Sequence, residues 1–152
     1  MSGFGGTGKT TIVSAIQRLI NSLYLPDPIK ASSGHMVTAG LTVMSASDLC
    51  HLYVNDYKQF LGYRNTALLA IDDLGMESER IMKYGQECYP ISELLSYRYE
   101  CRLFTIVTTN LPSSEVRPRY GDRMADRVNH MMQVVVMPDT NFRELSETYN
   151  PI

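Results

Sequence analysis

The feature that most constrains this chain is a glycine-rich run close to its start. Residues Gly3-Phe-Gly-Gly-Thr-Gly-Lys-Thr10 match the pattern G-x-x-x-x-G-K-[ST] without a gap. Glycines let the backbone curl so that successive N–H groups point inward at a phosphate group, and a helix that follows directly adds the positive end of its dipole. The run therefore predicts a phosphate-binding loop that opens into a helix, rather than an accidental glycine-rich turn.

The loop supplies the charge and the oxygen ligand that a nucleotide with Mg²⁺ requires. Lys9 adds a full positive charge beside the phosphates, and the hydroxyl of Thr10 is a hard oxygen ligand of the kind that Mg²⁺ prefers. The residues predicted to hold the nucleotide are Gly3, Phe4, Gly5, Gly6, Thr7, Gly8, Lys9, Thr10 and Thr11. We predict that Thr10 also binds the metal ion.

The pattern of apolar residues alternates between helical and strand spacing along the rest of the chain. It predicts helices at 9–23, 45–60, 90–99 and 120–129, and strands at 41–44, 67–71, 103–109 and 133–137. The stretches 31–40 and 76–88 are predicted to be irregular, as is the tail at 139–152. Strands that alternate with helices indicate an α/β fold with a mostly parallel sheet, whose ligands bind beyond the carboxyl ends of the strands.

Length and composition fit one folded domain over residues 1–152. A chain of 152 residues is short for two domains, and its 44% apolar and 20% charged residues are ordinary globular values. The formal charge of −2 gives no global reason to bind nucleic acid or an anionic membrane, and the sequence contains no run of about 18 apolar residues. The three cysteines share no short metal-binding spacing, which favours a reducing cytoplasm over a disulfide framework.

Two acidic residues end the most apolar of the predicted strands. Asp72 and Asp73 follow Ala-Leu-Leu-Ala-Ile at 67–71, a continuous apolar run typical of a strand buried on both faces. Because Mg²⁺ needs a carboxylate opposite the threonine hydroxyl, we predict that Asp72 binds the metal ion. Asp73, one position further, can orient or deprotonate an attacking water. Such a pair alone is more often a turn or a helix cap, but the phosphate loop favours the metal site.

The next predicted strand also ends in polar residues. Thr108, Thr109 and Asn110 close the run at 103–109 and would lie beside the acidic pair at the same edge of a parallel sheet. We predict that Asn110 contacts the attacking water or the terminal phosphate. The alternative is an Asn-Leu-Pro turn that takes no part in catalysis.

Three arginines at intervals of four residues lie further along the chain. Arg119, Arg123 and Arg127 would stack along one face of a helix. An arginine that reaches the nucleotide of a neighbouring subunit would stabilise the charge that builds up during phosphoryl transfer. Alternatively, the arginines form a solvated face and pair with Asp122 and Asp126.

Four segments together resemble the AAA+ core of DnaC-type replicative helicase loaders, and the related IstB transposition ATPases are similar too. The segments are Gly-Phe-Gly-Gly-Thr-Gly-Lys-Thr at 3–10, Leu-Leu-Ala-Ile-Asp-Asp-Leu-Gly at 68–75, Phe-Thr-Ile-Val-Thr-Thr-Asn-Leu at 104–111 and Tyr-Gly-Asp-Arg-Met-Ala-Asp-Arg-Val at 120–128. They occur in the order typical of the family, and the resemblance extends from Gly3 to about Arg143. It implies a P-loop NTPase (AAA+) three-layer sandwich with a mostly parallel sheet.

The resemblance also assigns roles to single residues. It makes the run at 3–10 the Walker A motif, Asp72 and Asp73 the Walker B motif, and Asn110 the sensor 1 residue. It places the arginine finger at Arg127. Arg123 is the alternate finger in the same segment.

The function implied by the resemblance is ATP-controlled delivery of a replicative ring helicase to single-stranded DNA. ATP and Mg²⁺ would be the cofactors, and self-association would place each arginine finger at a subunit interface, where ATP is hydrolysed. Family members have an apolar strand directly before Walker A, whereas only Met1 and Ser2 precede Gly3 here. We therefore expect that the first strand is missing and that the domain is truncated at its N-terminus.

Three other functions are compatible with the same motifs. An IstB-like transposition helper ATPase would share all four segments. A P-loop kinase would pass the terminal phosphate to a small molecule and would need a substrate-binding lid, which the sequence does not show. A remnant that binds a partner without hydrolysing nucleotide is the third alternative.

Overall fold

A three-stranded parallel sheet forms the centre of the part of the chain that the computed structural model describes, residues 7–26 and 36–138. The strands are β1 (Tyr24–Pro26), β2 (Met36–Thr38), β3 (Leu41–Ser45), β4 (Leu68–Leu74), β5 (Ile81–Lys83), β6 (Gln86–Cys88) and β7 (Phe104–Thr109). Strands β3, β4 and β7 pair in parallel in that order. The predictions for Gly3, Phe4, Gly5, Gly6 and the tail at 139–152 fall on residues outside the described ranges.

The described helices begin at residues suited to the first turn. They are α1 (Lys9–Asn21), α2 (Ala46–Asn55), α3 (Tyr57–Asn65), α4 (Pro90–Glu100), α5 (Ser113–Tyr120) and α6 (Asp122–Met131). Ser45 caps α2 by accepting a hydrogen bond from the Asp48 amide, and Asp56 caps α3 in the same way. Pro90 occupies the first turn of α4, where its missing N–H costs no hydrogen bond. Every helix in the described ranges is too short or too polar to cross a bilayer.

Helices cover both faces of the sheet, which confirms the predicted α/β fold with its three layers. Strand β4 alternates between the faces: Leu69 and Ile71 join a core with α2, α3, α4 and α6, whereas Leu68 and Ala70 lie in a core with α1. Val13 of α1 is 1% exposed and Ile12 is 37% exposed, so Val13 rather than Ile12 lies on the inner face of α1. The parallel strands place the ends of β4 and β7 at one edge of the sheet.

Two predicted helices are each divided by a residue with a non-helical backbone. The helix expected at 45–60 breaks at Asp56, whose φ of −143° and ψ of 77° lie outside the helical region. The helix expected at 120–129 begins only at Asp122, because Gly121 with its φ of +82° separates it from α5. Apolar spacing continues across both breaks, so periodicity alone does not reveal them.

The segments predicted to be irregular contain short antiparallel pairs. Strands β5 and β6 form a hairpin within 76–88, and its turn holds Tyr84 and Gly85 at positive φ. In the described part of 31–40, β2 pairs with β1. These strands have three residues each, too few to give a periodic signal.

The strand predicted at 133–137 is wrong. In that stretch only Val136 forms a bridge, and the rest is irregular. The exposed fractions of Val134, Val135 and Val136 are 57%, 52% and 76%. β-branched residues favour a strand where neighbouring strands or a core cover them, and these three valines are each more than half exposed.

A fully buried arginine ties α4 to the start of the sheet. The guanidinium of Arg98 donates to the carbonyl oxygens of Arg64, Thr66 and Phe104 at 2.9, 2.7 and 2.6 Å and to the hydroxyl of Thr105 at 2.9 Å. Burial lowers the pKa of Arg98 to about 10, so the group remains protonated at neutral pH. It thus satisfies four oxygens, two between the last turn of α3 and the start of β4 and two at the amino end of β7.

Replacing Arg98 should therefore destabilise the fold strongly. We expect Arg98→Leu to lower the free energy of unfolding by at least about 3 kcal/mol, because each buried oxygen left without a donor costs about 1–3 kcal/mol. Urea unfolding followed by circular dichroism measures the loss. The control is Arg18→Leu on the exposed surface of α1, and an equal loss in both variants would contradict the structural role of Arg98.

Candidate functional site

The first turn of α1 is arranged to receive an anion. Gly8 precedes the helix with φ +82°, a left-handed conformation that favours glycine. The helix has no side-chain cap and no acidic residue in its first turn, so the positive end of its dipole is not offset there. Lys9 is only 6% exposed, and its Nζ donates to the hydroxyl of Thr7 at 3.1 Å.

The charge of Lys9 is held in a partly desolvated position. Burial lowers the pKa of Lys9 below its ordinary value of 10.5, and the negative charges of Asp73 and Asp72 oppose this shift. The ammonium group therefore lies in the field of the two carboxylates. A phosphate chain on the same side of α1 would add further negative charge beside it.

The predicted metal-binding residues are in direct contact. The hydroxyl of Thr10 in α1 donates to Oδ2 of Asp72 at 3.0 Å, although the two residues are 62 positions apart in the chain. Asp72 lies near the end of β4, and its Oδ1 accepts a hydrogen bond from the hydroxyl of Thr108 in β7. One carboxylate thus connects α1, β4 and β7.

Asp73 lies in a β-bulge at the carboxyl end of β4. Ile71 pairs with Val107 and Leu74 pairs with Thr109, so two residues of β4 lie opposite the single residue Thr108. Asp73 has φ +55°, in the left-handed region, which costs roughly 1–2 kcal/mol for a residue other than glycine. The bulge turns this second carboxylate away from the sheet, where its side chain is exposed.

Asn110 lies directly after β7, at the same edge as the acidic pair. It is exposed, and the preceding Thr109 donates to the carbonyl oxygen of Leu74 at 2.6 Å. Thr109 also accepts from the amide of Leu111 at 2.9 Å, which holds the turn after Asn110. Thr11, the last of the predicted loop residues, is exposed in the first turn of α1.

The prediction that three arginines share one helical face is wrong. Arg119 belongs to α5, and Gly121 separates it from α6, which carries Arg123 and Arg127. The guanidinium of Arg119 instead donates to the carbonyl oxygen of Glu77.

The acidic neighbours pair with an arginine that the sequence did not single out. Asp122 and Asp126 both bind Arg117, at 2.5 and 2.8 Å. The expected pairing of these two aspartates with Arg119, Arg123 or Arg127 is therefore not observed among the described residues.

The two candidate arginine fingers differ in their surroundings. Arg127 is half-buried, pairs with Glu100 at 2.9 Å and lies over the ring of Tyr99. Arg123 is exposed and makes no ion pair within residues 7–26 and 36–138.

A buried carboxylate that the sequence did not reveal supports the loop after Asp73. The side chain of Glu77 is 1% exposed, accepts from the amide of Gly75 at 2.8 Å and from the Tyr120 hydroxyl, and pairs with Arg119 at 3.6 Å. Burial, followed by the contact with Glu77, raises the pKa of Tyr120, which keeps it a neutral donor. Glu77 thereby links the end of β4 to the junction of α5 and α6.

Gly75 fits this loop because it has no side chain. Its φ is +100°, and a Cβ at this position would lie 2.5 Å from side-chain atoms of Leu111. The close approach holds the turn after β7 against the turn after β4. The glycine was visible in the sequence, but nothing in the surrounding polar segment indicated that Glu77 is buried.

The donor set fits Mg²⁺ bound together with a nucleotide. Within the described residues no group of three or more His, Cys, Asp and Glu side chains is placed to hold a metal ion. Mg²⁺ commonly takes one or two protein oxygens and completes its shell with phosphate oxygens and water. Thr10 and Asp72 provide such a pair.

Comparison with solved structures places this fold among AAA+ proteins. The chain is similar to the DnaC helicase loader, with 25% sequence identity and a TM-score of 0.59 over 90% of this chain and 76% of that one. It is also similar to DnaI, with 17% identity and a TM-score of 0.64 over 92% of this chain and 69% of that one. The first similarity supports a DnaC-type AAA+ core, and the second shows that the two chains share a fold.

A third similar structure is DnaA from Aquifex aeolicus with bound AMPPCP. The identity is 18% and the TM-score 0.54, over 97% of this chain and 43% of that one. No protein-family model and no curated protein sequence matches the chain. The structural neighbours thus support the predicted AAA+ fold.

The thiol of Cys50 offers a test of the packing beside Glu77. Burial, followed by the charge of Glu77, raises the pKa of this thiol from 9.0 to about 12. We expect Cys50 to resist N-ethylmaleimide at pH 8 in the folded protein and to react fully in urea, whereas the exposed Cys101 reacts in both.

The same shift predicts that stability decreases at alkaline pH. The unfolded thiol ionises at its ordinary pKa, so the contribution of Cys50 to stability is present below pH 9.0 and is lost as the pH rises towards 12.

Mass spectrometry of the peptides labelled with N-ethylmaleimide reports the reactivity of Cys50. Rapid labelling of Cys50 in the folded protein would contradict its burial.

Proposed function

We propose that this chain is an ATP-binding and ATP-hydrolysing AAA+ module of the helicase-loader type that acts in the initiation of DNA replication. The observation that carries the proposal is the contact between Thr10 and Asp72, at the edge of the sheet where α1 begins. Together with the buried Lys9, this contact provides the lysine, the threonine hydroxyl and the carboxylate that a triphosphate with Mg²⁺ requires. The similarity to the DnaC helicase loader supports the assignment to replication.

The residues of the site would have separate roles in ATP hydrolysis. The loop at 3–11 would hold the phosphates, and Lys9 would neutralise part of their charge. Mg²⁺, held by Thr10 and Asp72, would supply charge stabilisation for the transferred phosphoryl group. Asp73 would orient or deprotonate the attacking water, and Asn110 would hold that water or the terminal phosphate in place.

An arginine from a neighbouring subunit would complete the site. The resemblance to helicase loaders favours Arg127, which must then leave its contact with Glu100 in order to reach a second nucleotide. The exposure of Arg123 favours that residue, which needs no such release. In either case self-association would switch on hydrolysis.

The partners we propose are a replicative ring helicase and single-stranded DNA. The similarity to helicase loaders supports the first of them. The chain would act in the cytoplasm, and its three free cysteines fit a reducing compartment.

The proposal requires that binding and hydrolysis depend on different residues. We expect Lys9→Ala to weaken ATP binding about 10- to 100-fold, the loss typical of a charge-assisted hydrogen bond. Asp73→Asn should bind ATP like the parent but hydrolyse it about 10²- to 10⁴-fold more slowly. Isothermal titration and phosphate release measure the two steps.

The control for these variants is Lys58→Ala, which removes an exposed lysine from α3. Phosphate release without any added acceptor distinguishes an ATPase from a small-molecule kinase. If the parent binds no ATP, or if Lys9→Ala binds it as well as the parent does, the proposed function is wrong.

Complementation between two inactive variants tests the arginine finger. We expect Arg127→Ala to lower hydrolysis on the order of 10³-fold, and mixing it with Asp73→Asn to restore activity, because each variant supplies what the other lacks at a shared interface. Arg117→Ala serves as the control, since it removes an exposed arginine near α6. If Arg123→Ala alone is complemented, Arg123 is the finger. If mixing restores neither variant, neither Arg127 nor Arg123 acts between subunits.

A further inference from the structure

Thr108 lies beside the two aspartates of the candidate site. It lies in β7 opposite both Asp72 and Asp73, where the bulge leaves one residue of β7 facing two of β4. The residue is 0% exposed. Its hydroxyl is therefore sheltered from solvent at the point where the two carboxylates diverge.

The hydroxyl of Thr108 accepts one hydrogen bond and donates another, and both partners belong to the acidic pair. Thr108 Oγ1 accepts from the backbone N–H of Asp73 at 2.9 Å and donates to Oδ1 of Asp72. A hydroxyl has one donor and two acceptor positions, so one side chain can serve both contacts. The donated bond ends on a carboxylate, which makes it stronger than a bond between neutral groups.

These contacts determine where each carboxylate points. Because Oδ1 of Asp72 is held by Thr108, Oδ2 is the oxygen that meets the hydroxyl of Thr10. Because the Asp73 amide is held by Thr108, the backbone keeps the left-handed conformation that turns the Asp73 side chain out of the sheet. One hydroxyl thus orients both acidic side chains.

We infer that Thr108 is a positioning residue that orients Asp72 for Mg²⁺ and fixes the bulge at Asp73. This inference rests on the proposed function, since it concerns how the chain's own residues are arranged for the metal ion. A partner of this kind, which orients a metal ligand without touching the metal, typically changes metal affinity 10- to 100-fold when it is removed. Thr108 acts through its contacts with Asp72 and Asp73.

The test compares three substitutions in β7. Thr108→Val removes the hydroxyl and keeps the shape, and Thr108→Ser keeps the hydroxyl. Thr105→Val is the matched control, because Thr105 also accepts one hydrogen bond and donates another, to groups at the opposite end of the strand. If Thr108→Val does not fold, Thr108→Ala takes its place.

Two measurements separate positioning from a purely structural role. The first is hydrogen exchange at the Asp73 amide without nucleotide, which should become at least about tenfold faster in Thr108→Val and stay slow in Thr108→Ser and Thr105→Val. The second is ATP affinity with Mg²⁺ and with EDTA. Thr108→Val should lose about 10- to 100-fold of the affinity gained from Mg²⁺ and keep its affinity in EDTA.

The outcomes distinguish this inference from the proposed function. If the parent gains affinity from Mg²⁺ and Thr108→Val gains as much, the inference is overturned while the proposed function stands. Equal losses in Thr108→Val and Thr105→Val also overturn it, since they would reflect general destabilisation. A parent that binds no nucleotide overturns the proposed function and the inference together, and rapid exchange of the Asp73 amide in the parent overturns the bulge contact by itself.

Discussion

The burial of β4 between two parallel neighbours is the constraint on which the rest of the structure depends. Its side chains alternate between the core around α1 and the core formed by the helices on the other face, so the strand cannot slip by one residue without exchanging both cores. This fixed register brings Asp72 to the start of α1, within reach of Thr10. The candidate site is thus a consequence of how the sheet is packed.

Two buried charged groups hold the ends of the sheet. Arg98 satisfies carbonyl oxygens in the last turn of α3 and at the amino end of β7, and Glu77 accepts hydrogen bonds from the amide of Gly75 and the Tyr120 hydroxyl beyond the carboxyl end of β4. Buried charges are costly unless they are fully hydrogen-bonded, and both groups meet this condition with several partners. Glu77 also connects the loop after Asp73 to the junction of α5 and α6.

The segments that the sequence predicted well are those whose signal is local and strong. The apolar run before Asp72 is typical of a buried strand, and the phosphate loop predicts a helix that starts at Lys9. The breaks at Asp56 and Gly121 were missed because apolar spacing continues through them. The valines at 134–136 gave a false strand, since their propensity takes effect only where another element covers them.

By itself the sequence predicted the residues of the candidate site: a lysine, a threonine and two aspartates in motifs whose spacing is typical of phosphate and Mg²⁺ binding. It also determined the parallel α/β architecture, because hydrophobic periodicity is a local property of the chain. Only the tertiary structure decided which groups meet. It decided the bulge opposite Thr108, the burial of Glu77 and the separation of Arg119 from Arg123. These features depend on contacts between residues far apart in the chain or on one backbone angle. Such contacts and angles leave no periodic pattern in the sequence.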